Sequence, residues 1–135
     1  MAGLTRKLLQ RRSEDAQEVQ EVQDTLQRIA LYVLQREQIV DDSVLRDARI
    51  AALAPQVVAL VMIAEWLAYV EWEGYASARY MKFDSVLAQL STVLQLPLLA
   101  EQLQQAVNVQ QFEALRPVLL EALLEHVQQH VAVFP

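Results

Sequence analysis

The sequence predicts an all-α fold: a compact bundle of five to six helices, with a long N-terminal helix and a central one that is apolar on nearly every side. Three observations lead there. Apolar residues recur at helical spacing over most of the 135 residues, and no strand-like alternation survives inspection. Two glycines are too few to supply the left-handed turns of a hairpin-rich sheet or a phosphate-cradling loop. The hydrophobic share of 54% is far above that of a disordered chain, and a count of zero cysteines excludes both disulfide scaffolds and thiolate metal sites.

Two regions follow. Residues 1–12 form a basic arm with Arg6, Lys7, Arg11 and Arg12 and no acid, and residues 13–135 form one helical-bundle domain. The formal net charge of -6 therefore rests on an acidic body. No apolar run of signal-peptide type follows the arm, so cytoplasmic location is the expectation. The most apolar stretch, Ile50 to Trp72, is broken by Glu65 and Glu71, which argues for a buried core helix over a membrane span.

The elements follow in order. Ser13 with Glu14 and Asp15 is a helix-start pattern, a capping hydroxyl followed by acids in the electropositive first turn. Val19, Val22, Leu26, Ile29 and Val33 then recur at spacings 3, 4, 3, 4, the seam of a coiled coil. Asp41, Asp42 and Ser43 predict the cap of a helix from Val44 to about Leu53. Pro55 suits the first turn of the next helix, where its missing N–H costs nothing. That helix is expected to reach about Tyr80, weakened or kinked at Gly74. Phe83-Asp84-Ser85 predicts a cap opening Val86 to Leu96, and Pro97 restarts the chain for Leu98 to Val107. Asn108 caps the last helix, which Pro117 should kink or split.

Three segments are apolar all round: Ile29 to Leu34, Val57 to Val70 and Val118 to Leu124. A helix hydrophobic on every side must be covered on every side, and one small domain seldom centres three. The surplus points to burial against another polypeptide, a second copy or a larger complex. Candidate interface residues are Val19, Val22, Leu26 and Ile29 on the seam, with Trp66, Tyr69 and Trp72 from an aromatic band that continues to Tyr75. Trp, Tyr and Arg are the residues enriched at interface hot spots.

Catalytic chemistry has little to draw on. The serines lie mostly at predicted caps, none in a glycine-rich elbow, and the only histidines, His126 and His130, share one helix turn. An i,i+4 histidine pair can present two nitrogens to one divalent metal, and a third ligand would have to be a carboxylate from elsewhere. Core or edge-of-core histidines are the simpler reading. The acids Glu18, Glu21 and Asp24 recur every third residue and fall on the outside of the seam helix, a solvated face.

The remaining cations give a second class of reading. Arg6, Lys7, Arg11 and Arg12 with Arg79 and Lys82 are candidate nucleic-acid contacts, and Arg28, Arg46, Arg49 and Arg116 are scattered through the domain. Size, all-helical character and these scattered arginines give the alternative reading, a small all-helical subunit of a nucleic-acid-handling, CRISPR-effector-like complex, in which nucleic acid is reached through the complex. The leading expectation is a non-catalytic helical subunit or adaptor, acting through helix–helix packing and needing no cofactor. A metal-dependent enzyme built on His126 and His130 is the weaker alternative.

Overall fold

A computed structural model describes Thr5, residues 19–39 and residues 45–135. Among these residues seven α-helices and one closing 3-10 turn, Val131–Val133, are the only regular elements. In chain order the helices are α1 (Val19–Arg36), α2 (Arg46–Ala51), α3 (Pro55–Glu73), α4 (Tyr75–Ala78), α5 (Phe83–Thr92), α6 (Pro97–Gln105) and α7 (Val109–Gln129). The basic arm apart from Thr5, the Ser13 start and the Asp41–Ser43 cap lie outside the described residues. No helix among the described residues is long and apolar enough to cross a membrane.

The helix α3 is the axis of the bundle and packs against α1, α2, α4, α5 and α7. Its first turn opens on Pro55, and Leu60, Val61, Ile63 and Ala64 are sealed from water. The helix α1 runs antiparallel to it. At one end Gln20 and Gln23 donate to the Glu71 carboxylate at 2.7 and 2.9 Å, and at the other Val33 and Val57 line one cleft. A third helix locks this pair: Arg116 of α7 donates to Gln23 at 2.9 Å and Gln20 at 2.7 Å. The buried Gln23 side chain is thus satisfied on both its oxygen and its nitrogen, as a polar group in a core must be.

Several boundaries differ from the sequence expectation, and two of them have a backbone reason. The third predicted helix stops at Glu73 instead of running to Tyr80, because Gly74 adopts φ 90 and ψ 157, a conformation essentially reserved for glycine. The chain turns there and restarts as α4, which raises the helix count above five or six. The helix expected at Val86 begins three residues earlier at Phe83, with Lys82 in the left-handed region at φ 56 and no side-chain cap. By contrast the Asn108 side chain caps α7 by accepting from the Gln111 amide at 2.9 Å. Pro117 leaves α7 continuous. It lies on an exposed face, where the carbonyl that loses its helical partner, at Glu113, is also on an exposed residue.

The bundle absorbs most of the apolar surplus. Ile29, Ala30, Val33 and Leu34 are buried, as are Leu119, Leu120, Leu123 and Leu124. All three strongly apolar segments share one core because α3 is covered from five directions, with α1 and α7 packed on each other beside it. What stays open is narrower than the sequence implies: residues such as Leu31, Leu98 and Val118, and the large side chains of Trp72, Tyr80 and Met81 at and beyond the end of α3.

Candidate functional site

The aromatic band divides between core and surface. Trp66 and Tyr75 turn inward, where Trp66 lies within 6.2 Å of Tyr75, 5.6 Å of Phe83 and 5.8 Å of Phe112, centroid to centroid. The indole N–H is not orphaned, since it donates to the Ala78 carbonyl at 2.9 Å. Tyr69 is half-buried, whereas Trp72 is 83% exposed. Of the aromatic interface candidates, then, Trp66 belongs to the core and Trp72 to the surface. The seam candidates Val22, Leu26 and Ile29 lie in this chain's own core, and Val19 is half-buried against it. In this fold they offer little to a second chain, because α3 and α7 already cover α1.

One face of α3 is left without a covering helix. Val58, Met62, Glu65, Tyr69 and Trp72 follow at spacings 4, 3, 4, 3. At 100° per residue they share an arc of roughly 80°, along a ridge about 21 Å long. The first four form the floor of a groove of about 400 Å³ between α2, α3 and α5. Ile50 and Ala51 supply the α2 wall, and Met81, Ser85 and Val86 the opposite one. Its charges come in pairs: Arg46 bonds Glu65, and Lys82 meets Asp47 at 3.2 Å. Sequence reading missed this groove. The sequence carries only its floor, with Met62, Glu65 and Tyr69 in one file on α3, while the walls come from other segments.

The domain's arginines are largely occupied at home. Arg79 donates to the carbonyls of Ala106 at 2.6 Å and Gln104 at 3.3 Å, closing the C-terminus of α6, and its guanidinium also lies over the Tyr75 and Phe83 rings. Arg49 does the same for α1, through Glu37 and Gln38 carbonyls at 2.6 and 3.0 Å. Such contacts satisfy the open carbonyls of a helix end and place a cation at its negative pole. With Arg116 held by Gln20 and Gln23, and Arg46 by Glu65, these side chains are spent on the fold. The arm cations Arg6, Lys7, Arg11 and Arg12 lie outside the described residues.

The histidine rings are 5.0 Å apart. His126 Nε2 is 2.9 Å from the Gln56 carbonyl, so the proton sits on that nitrogen and is donated to the oxygen. Burial lowers the His126 pKa, the hydrogen bond to Gln56 opposes the shift, and the neighbouring His130 adds to it. Among the described residues no group of three metal-ligating side chains converges on this pair or elsewhere. As a metal site the pair would need a further ligand and the release of His126 from Gln56.

A family model described as the YfbN C-terminal domain matches residues 3–112. The chain belongs to the YfbN C-terminal domain family. Nothing matches among curated proteins or solved structures. The YfbN C-terminal domain match takes in α1 to α6 and every residue lining the groove, and it ends within the first turn of α7. His126 and His130 fall beyond the span matched to the YfbN C-terminal domain.

Proposed function

We propose that this domain is a non-catalytic helical module that acts by docking against another polypeptide. The docking face is the end of the open α3 ridge where Tyr69 and Trp72 stand. One observation carries the reading: Trp72 is 83% exposed on a helix whose other tryptophan is buried. A large aromatic side chain in water forfeits on the order of 2 kcal/mol that burial would recover. Beyond Gly74, Tyr80 and Met81 are open as well, at 92% and 44%. Exposed single side chains are ordinary, but Trp72 ends a file that includes the partly open Met62 and Tyr69, and large side chains in such a file mark an interaction surface. The engagement of Arg46, Arg49, Arg79 and Arg116 within the fold favours this reading over direct contact with nucleic acid, and among the described residues no cluster of metal-ligating side chains favours catalysis.

The test is site-specific photo-crosslinking. A benzoylphenylalanine at position 72 in the full chain, expressed in its native cells, is expected to yield a discrete protein adduct. The same group at Glu121, an exposed position on α7, is expected to yield none. Equal or absent crosslinking at both positions would end the proposal.

A further inference from the structure

We infer that the groove between α2, α3 and α5 binds an uncharged, largely apolar small molecule carrying one hydroxyl or carbonyl group. This goes beyond docking at Trp72, which lies outside the groove lining although its neighbour on the ridge, Tyr69, belongs to it. Size comes first. About 400 Å³ of space falls in the range of small-molecule sites and holds far less than a polypeptide element. The shape agrees. Lys82 and Asp47 join the two walls through a 3.2 Å ion pair, whereas a helix with its side chains needs a trench of roughly 10 Å.

Charge gives the chemical class. The four ionic side chains at the groove are matched as Arg46–Glu65 and Lys82–Asp47. A charged ligand would have to displace one of these partners or lie unmatched among apolar walls, which is costly. A neutral ligand asks for neither. The lining suits it: Met62 and Met81 are unbranched and reshape easily around a guest, and Tyr69 and Trp66 offer ring surface. Ser85 supplies the polar anchor, because it lines the groove and makes no side-chain hydrogen bond among the described residues.

The test uses the neutral fluorophore N-phenyl-1-naphthylamine with the full chain, and its anionic relative anilinonaphthalene sulfonate for comparison. The neutral dye is expected to saturate at one per chain, and the anionic dye to bind at least tenfold more weakly. Met62→Trp and, as a milder filling, Val58→Phe are expected to weaken the neutral dye at least tenfold while circular dichroism stays helical. Trp72→Ala is expected to leave its affinity within twofold. The inference is overturned by non-saturating binding, by filled variants that bind like the parent, or by loss of binding in Trp72→Ala, which would put the dye on the docking face. One dye per two chains would place a second copy over the groove and overturn it equally.

Discussion

The guanidinium of Arg79 donates to the carbonyl of Ala106 at 2.6 Å, and so closes the end of a helix 25 or more residues further along the chain. The contact ties the turn after α4 to the C-terminus of α6 and fixes Tyr75, whose hydroxyl also bonds the Ala106 carbonyl. Arg79→Ala removes a charged donor from the carbonyl of the buried Ala106 and should lower unfolding free energy by about 2 kcal/mol. Arg79→Lys should recover less than half of this, since a single ammonium cannot reproduce the fork. Urea denaturation of both variants measures the difference.

Gly74→Ala should cost about 2 kcal/mol through backbone strain alone. A Cβ built at this residue meets no atom within 4 Å, so steric crowding does not contribute, and φ 90 is the whole cause. Thermal unfolding is expected to show the loss with no change in the helical spectrum at low temperature.

The opposite change is favourable at Gln95. This exposed residue closes α5 at φ 58, where an L side chain is strained, and the Leu96 amide then reaches back to the Leu90 carbonyl at 2.8 Å. Gln95→Gly should raise stability by about 1 kcal/mol, the left-handed penalty less the added freedom of the unfolded chain. A denaturation midpoint unchanged or lowered would refute it.

Acid should destabilise the fold through His126. Its pKa in the folded chain lies below the ordinary value, chiefly from burial, so the unfolded chain binds this proton more readily. The stability contribution is full above about pH 6.5 and is lost as pH falls from there toward the folded pKa. His126→Gln keeps a donor toward the Gln56 carbonyl without titrating. Its unfolding free energy, measured from pH 7.5 to 5, should fall less steeply than that of the parent.

How far the sequence was readable depends on the range of the force concerned. Apolar periodicity placed α1, α3 and α7 and made α3 the central helix, because burial acts through the residue pattern itself. Pro55, Pro97 and Asn108 marked helix starts through local chemistry. Lys82 and Gln95 gave no sign of their left-handed backbone, which tertiary packing imposes on residues with no preference for it. The burial of the interface candidates was not legible. Trp72 was singled out, but so were Val22, Leu26 and Ile29, and a seam facing this chain's own α3 has the same period as one facing a partner. The groove depends on where α2 and α5 stand relative to α3, a relation among segments far apart in sequence.

The central claim is that Trp72 meets another polypeptide, and hydroxyl-radical footprinting measures this directly. The untagged full chain is footprinted as isolated by native purification, with whatever remains bound to it, and again after separation. Strong protection of Trp72 before separation, with Tyr80 protected alongside it and exposed Leu98 on α6 unchanged, is the predicted result. Oxidation of Trp72 at the same rate in both preparations, while other surface residues gain protection, would contradict the account.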